Sequence, residues 1–506
     1  MSDEAHGTGR VRYRFPPLER RGVIAGWRAG QVGAVAIGLV LAVLSVRSRP
    51  SLGGVVVAVL FVGIAVAAAF WPIAGRTGEQ WLPVVVRWGW AGATGHRFQP
   101  APGPATGTTV AFDGRRGARP MQVIGRPGAA SVFDGLRLVD AGGDDADGSG
   151  MGVVLDDRSR TVTAVLAVRG HSFALLGPAD QDTRVAGWAR VLASLARDGS
   201  AVHRLQWVET CLPDDGGAVR GHLDDHGVLA DDAPAARSYR ALLDEASPVT
   251  RRHRVLVAVT LHRGRSARAI RSAGGGQGGA LDVLAREMLA VQTTLAGVDL
   301  GVDGVLDRRD LAEVLGAAFQ TAPGGCGASA GPPATDGAPW PMGTEAGWDA
   351  VRTDGTWHAT YWVAEWPRVD VQPDFLGPLL FAPLRRTLSV VMEPVDPARA
   401  ARQVAQARTA GLADGELRRR NGFLTSARHT RERQSVDERD VELADGHAQF
   451  RYSGYVGVTA DTGAELATAC AALEQAAGQA RLDVRRLYGQ QDAALLCLLP
   501  LGRGLS

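Results

Sequence analysis

AGQVGAVAIGLVLAVLSV (residues 29–46), RSRPS (47–51) and LGGVVVAVLFVGIAVAAAFW (52–71) decide the architecture of this chain. The first run holds eighteen residues and the last twenty, none of them charged. At 1.5 Å per residue the two runs reach roughly 27 and 30 Å as helices, enough to cross a bilayer core. Soluble cores seldom use two such runs back to back, so both read as transmembrane helices. A signal peptide does not fit, because the second run follows at once and no small-residue cleavage site separates them. The five-residue loop permits only antiparallel packing. Gly30, Ala34, Gly38 and Ala42 recur every four residues, a small-residue stripe that lets helix backbones approach closely in lipid.

Arginine sets the expected orientation. Arg10, Arg12, Arg14, Arg20, Arg21 and Arg28 precede the hairpin, and Arg76, Arg87 and Arg97 follow it; the loop has only Arg47 and Arg49. The positive-inside rule places both ends in the cytoplasm and the loop outside. The expected location is therefore the inner (plasma) membrane, multi-pass, with a cytosolic region from about residue 75 onward.

Net charge is only +2, which gives no bulk case for nucleic-acid binding. All 55 basic residues are arginine. A P-loop needs a lysine to reach the β- and γ-phosphates, so a Walker A site is excluded. Cys211, Cys326, Cys470 and Cys497 are far apart, with no CxxC; they suit a reducing compartment and form no zinc pattern.

Residues 1–28 form a basic arm, 29–74 the hairpin, and 75–107 a juxtamembrane segment and linker. Trp71, Trp81, Trp88 and Trp90 suit the membrane interface, where an indole keeps its ring apolar and its N–H wet. Residues 108–320 read as a first α+β unit, with strands at 151–155, 161–168, 202–209 and 254–261. Residues 321–346 are rich in Gly, Ala and Pro and read as a disordered loop. Residues 347–506 read as a second α+β unit, with strands at 356–364, 388–392, 450–459 and 482–487 and a last helix at 492–499. The fold class is α+β: a transmembrane helical hairpin followed by a cytosolic two-part mixed α/β region with ferredoxin-like character.

No reaction assembles from the residues. His222 and His226 stand four apart, as a helical metal site needs, but their acidic, glycine-rich flanks read as a solvated loop. Gly274 to Gly279 precedes a helix but does not follow a buried strand, so it reads as a flexible loop rather than a phosphate cradle. Gly170-His171-Ser172 falls short of a nucleophile elbow. Asp156 and Asp157 read as turn residues. No catalytic, cofactor-binding or metal-binding residue is assigned and no cofactor is expected.

Ser389-Val-Val-Met-Glu-Pro394, Ala444-Asp-Gly-His447, Gly454-Tyr-Val-Gly-Val-Thr-Ala460, Leu487-Tyr-Gly-Gln-Gln491 and Leu498-Leu-Pro-Leu-Gly-Arg503 resemble the N-terminal, non-catalytic half of the membrane-associated (VirB-type) ATPase of conjugative type IV secretion systems. The hairpin resembles the small two-helix (PrgI-like) subunit that partners that ATPase. In that family the Gln-Gln pair and the Leu-Pro-Leu-Gly stretch shortly precede the motor. The resemblance implies a non-catalytic inner-membrane scaffold that docks a separately encoded secretion ATPase beside other membrane secretion subunits. It implies partner contacts at Gly489, Gln490, Gln491, Leu495, Pro500, Leu501, Gly502 and Arg503. The helix at 492–499 carries more apolar residues than one core-facing stripe uses, so its surface reads as interface or as fully buried. Type VII secretion EccE proteins, which also place two N-terminal helices before a cytosolic α+β domain, are the alternative. A membrane-anchored enzyme is the third reading.

Overall fold

The structure, a computed structural model, describes residues 29–48, 50–71, 76–93, 98–100, 132–141, 150–169, 173, 176–197, 199–213, 217–226, 233–246, 251–298, 300–319, 339–420 and 427–504. The basic arm, the segment 101–131, residues 170–172 and residues 320–338 lie outside this set.

Helices Ala29–Ser48 and Leu52–Phe70 are both long and apolar enough to cross a membrane. They pack antiparallel through small residues: a Cβ added at Gly38 would lie 2.3 Å from that of Ala65, and Ala42, Ala58 and Ala69 are buried. Gln31 Nε2 donates to the Ala69 carbonyl at 3.0 Å and Ser45 Oγ to the Gly54 carbonyl at 3.4 Å. Ile37, Val40, Val43, Val59 and Leu60 stay on the outside, which is the pattern of helices that pair through small residues and present large ones to lipid.

Among the described residues, thirteen strands form one sheet: β1 (Phe98–Pro100), β2 (Leu136–Asp140), β3 (Gly152–Asp156), β4 (Thr161–Arg169), β5 (Val202–Pro213), β6 (Arg251–His262), β7 (Gly301–Val305), β8 (Gly343–Ala346), β9 (Val351–Thr353), β10 (Thr356–Glu365), β11 (Arg386–Pro394), β12 (Phe450–Ala460) and β13 (Asp483–Arg486). The order is β1-β8-β9-β10-β12-β11-β5-β6-β4-β3-β2, with β13 on β10 and β7 on β4. Every pairing is antiparallel. The two parts expected from sequence therefore share a sheet instead of each forming its own.

The strand list contains an internal duplication. β2-β3-β4, helix Pro178–Leu195, β5, helices Gly217–His226 and Pro234–Ala246, β6, helix Gly276–Ala296, β7 and helix Arg308–Ala317 make the first half. β8-β9-β10, helix Gly377–Leu380, β11, helices Pro397–Arg420 and Ala427–Ala444, β12, helix Gly463–Gln479, β13 and helix Gln491–Leu495 repeat it in the same order. Each half has the strand order 2-3-4-6-5 or its counterpart, with β7 or β13 beside the long first strand. Each contains two interleaved strand–helix–strand crossovers, and the halves meet edge to edge at β5–β11, where Met392 lies opposite Leu205 and Arg386 opposite Cys211. One face carries a core for each half. Leu166, Val259, Leu284 and Met288 lie in the first, and Tyr361, Val456, Leu466 and Leu473 in the second. The opposite face carries a continuous core that spans both halves, from Leu138, Val165 and Leu311 to Tyr455, Leu495 and Leu501.

The seam between the halves is polar. Arg386, fully buried, donates to Glu209 and to the Leu379 and Leu380 carbonyls; His253 Nδ1 lies 2.7 Å from the other oxygen of Glu209. At the far end Glu393 meets Arg265 at 2.7 Å and Arg204 at 3.5 Å. Burial alone would raise the pKa of Glu393, but the Arg265 hydrogen bond and the charges of Arg265 and Arg204 hold it below its ordinary value. Burial and the flanking arginines push His203 down to about 4, so it stays neutral. Midway, Gln206 donates through Nε2 to Ser389 Oγ (2.8 Å) and to the carbonyls of Leu499 (2.8 Å) and Cys497 (3.1 Å), and accepts from Gly502 N–H at 2.7 Å.

Those last contacts define the C-terminal stretch. It crosses from the second half to the first, where Arg204 Nη1 donates to the Gly502 carbonyl at 3.0 Å and Arg503 pairs with buried Asp156 at 2.6 Å. Gly502 has φ +66 and its Cα packs so closely that an added Cβ would lie 2.2 Å from Thr260 Oγ1, a site only glycine fits. Replacing Gln206 with Leu strands a buried N–H, two carbonyls and a hydroxyl. Gln206→Leu should lower the stability of the detergent-solubilised chain by about 2–4 kcal/mol in denaturant titration, and a change below about 0.5 kcal/mol would show that the strap is dispensable.

Candidate functional site: the joint between the hairpin and the sheet

Helix Gly78–Ala93 leaves the hairpin closely. A Cβ at its first residue, Gly78, would lie 2.8 Å from the Ala68 carbonyl of the second span. The helix then has two apolar faces. Trp81, Val84 and Trp88, at i, i+3 and i+7, face the sheet region; Leu82, Val85, Val86 and Trp90 are exposed.

The inward face meets an aromatic cluster built from three distant stretches. Trp81 stacks on Trp348 with centroids 5.8 Å apart, and Trp88 meets the same ring edge-on at 5.0 Å. Tyr488 lies 6.3 Å from both Trp81 and Trp348. Arg76 sits 5.6 Å over Trp81 and Arg486 6.0 Å over Tyr488, in the geometry of cation–π contacts. Burial, then the nearby charge of Arg485, lowers the pKa of Arg76 from its ordinary value. Arg87 lies 3.9 Å from Asp492. Trp348 stands on the β8–β9 connection, and its carbonyl accepts from the Gly489 N–H at 2.6 Å. Gly489 has φ +67, and a Cβ there would lie 2.7 Å from the Trp348 ring and 3.0 Å from Val84. The cluster thus bolts the membrane hairpin to the second half of the sheet.

The structure divides the sequence-derived candidates. Of the four tryptophans assigned to the membrane interface, Trp71 and Trp90 are 70% and 66% exposed, whereas Trp81 and Trp88 turn inward onto Trp348. Of the assigned partner contacts, Gly489 belongs to the joint. Gln491 is buried and exchanges hydrogen bonds with the Thr360 backbone (Oε1 accepting at 2.8 Å, Nε2 donating at 3.2 Å). Leu495, Pro500, Leu501 and Gly502 are buried and Gln490 and Arg503 half-buried. Gln491, Leu495, Pro500, Leu501 and Gly502 are turned inward in this chain. The last helix is Gln491–Leu495 rather than 492–499, with Gln491, Ala494 and Leu495 buried and Asp492 turned toward Arg87. Trp348, Tyr488, Gln206 and Asp156 carry contacts that no local pattern marks, since their partners lie far along the chain.

Among the described residues no group of three or more His, Cys, Asp or Glu is placed to hold a metal. His222 and His226 lie on a helix instead of the expected loop, with rings stacked 4.4 Å apart. Gly274, Gly275 and Gly276 all have positive φ and form the turn between two helices. Burial pushes the Cys497 thiol up to about 12 and raises that of Cys211, so neither is a nucleophile at neutral pH.

The EccE family model, described as "Putative type VII ESX secretion system translocon", matches residues 249–363. The match covers less than a quarter of the chain, from the start of β6 almost to the end of β10. No curated protein matches the chain. The family found is that of the type VII alternative; nothing found supports the conjugative ATPase or PrgI-like reading. The match and the two apolar helices agree with membrane association.

Gly489→Ala forces a Cβ into Trp348 at a positive φ and should weaken the joint by about 1–3 kcal/mol. Hydrogen exchange should accelerate in residues 78–93 and stay unchanged in β4 and β6. Gly355→Ala, also at positive φ but with nothing within 4 Å of the new Cβ, controls for backbone strain. Equal exchange of the helix in both variants would mean that the aromatic cluster does not hold it.

Proposed function

We propose that this chain is a non-catalytic, membrane-anchored structural subunit of a type VII-like secretion translocon. The observation that carries this reading is the EccE-family match within a sheet region that follows a two-helix hairpin. The arginine asymmetry supports a multi-pass topology with both ends cytoplasmic. The strand order of each half, 7-4-6-5 and 13-10-12-11, supports describing the halves as ferredoxin-like. The outward face of helix 78–93, with Trp90, suits the headgroup layer, so that the aromatic joint fixes the sheet at a set distance from the bilayer. The partners are other membrane subunits of the same apparatus.

Two measurements test this. In a cysteine-free background, Ser48→Cys should react with an impermeant thiol reagent from outside the cell and exposed His447→Cys should not; the reverse pattern would overturn the topology. The affinity-tagged chain, isolated from its native membrane, should carry membrane subunits encoded beside it in fixed stoichiometry. Recovery of the chain alone, in a detergent that preserves the hairpin, would contradict the translocon assignment.

A further inference from the structure

On the face that carries the continuous core, a small cleft of about 50 Å³ opens over the seam, between the C-terminal end of helix Arg308–Ala317 and the C-terminal strap. Its walls are apolar: Val314, Ala317 and Ala318 on one side, Leu498, Leu499 and Pro500 on the other. Its floor is made of hydrogen-bond donors. Arg254 on β6 pairs with Thr210 on β5, which pairs with Thr387 on β11. Arg385 stands two residues before Thr387, so the two arginines lie two strands apart and two residues out of register, roughly 12 Å at 4.8 Å per strand and 3.4 Å per residue.

These guanidiniums are poorly paid. Arg385 Nη2 makes one long bond, 3.4 Å, to the Ala317 carbonyl, while its Nη1 is buried with no hydrogen-bond partner. Among the described residues Arg254 has no side-chain hydrogen bond or ion pair. Its nearest acid is Glu313, and that of Arg385 is Asp461; both act only through space. Burial lowers the pKa of Arg254 and brings that of Arg385 down to about 10, the cost of holding two cations from water. His358, at the cleft edge, is kept neutral by burial and held between Thr353 Oγ1 (2.6 Å) and Thr459 Oγ1 (3.0 Å), so it adds no charge.

We propose that this cleft binds a phosphate group through Arg254 and Arg385, with the Thr210 and Thr387 hydroxyls donating between them. Two guanidinium forks and two hydroxyls offer more donors than the two oxygens of a carboxylate accept, and a phosphate dianion matches both their number and their charge. The phosphate can belong to a soluble ligand or to a lipid headgroup, and the apolar walls suit either.

The test uses the full chain in nanodiscs and reads thermal unfolding against inorganic pyrophosphate at constant ionic strength, with malonate as the carboxylate arm. A saturable stabilisation by pyrophosphate is expected, roughly tenfold weaker in apparent affinity in Arg254→Gln and in Arg385→Gln. Should Arg385→Gln fold poorly, Arg254→Gln at its half-exposed position decides. In phosphatidylcholine discs the effect is expected in full. Its loss in phosphatidate discs identifies a lipid headgroup as the natural occupant, and its persistence there a soluble phosphate; both support the site. No saturable effect, an equal effect of malonate, or an unchanged affinity in Arg254→Gln overturns the proposal.

Discussion

The pairing of β5 with β11 is the contact on which the rest of the structure depends. It turns two half-sheets into one and creates the continuous face on which the C-terminal strap lies. A seam between two edges can be made by backbone hydrogen bonds alone, but edges left unspecified slip in register. Here three polar sets fix the register: Glu209 with Arg386, Gln206 with Ser389, and Glu393 with Arg204 and Arg265. Each set joins residues from both halves and satisfies groups that burial would otherwise leave costly. The strap then ties Gln206 to Gly502 and Asp156 to Arg503, so the last residues of the second half close over the first.

The same economy of long-range contacts ties the sheet to the membrane. Helix Gly78–Ala93 is short, yet it touches the second span at Gly78 and the sheet at Trp348, Tyr488 and Gly489. A hairpin joined by a loose linker would leave the sheet free to tumble, whereas this joint fixes the orientation of the hairpin relative to the sheet. That is the property a structural subunit needs if it is to hold partners in register.

The sequence revealed the hairpin because two uncharged runs of that length have few other uses, and it revealed the long strands because Thr161–Val168 and Arg254–Leu261 are nearly continuous β-branched and apolar stretches. It concealed the seam. Gln206, Glu209 and Arg386 look like ordinary polar positions in their own windows, and their partners across the seam lie 177 to 296 residues away. It also concealed the duplication, because what repeats is strand order and sense, not residue identity. The tail misled for a physical reason: an excess of apolar residues marks an interface and an enclosed segment equally, and Leu495 to Leu501 are enclosed. Trp81 and Trp88 lie in an aromatic cluster, and an indole suits that as well as a headgroup layer.

Native-state hydrogen exchange tests the claim of one joined sheet most directly. If β5–β11 and the strap make the halves interdependent, slowly exchanging amides in β4 and β6 and those in β10 and β12 should report one common opening free energy and one common denaturant dependence. If one set opens at a free energy lower than the other by more than about 2 kcal/mol, the halves unfold separately and the seam is a contact between independent units.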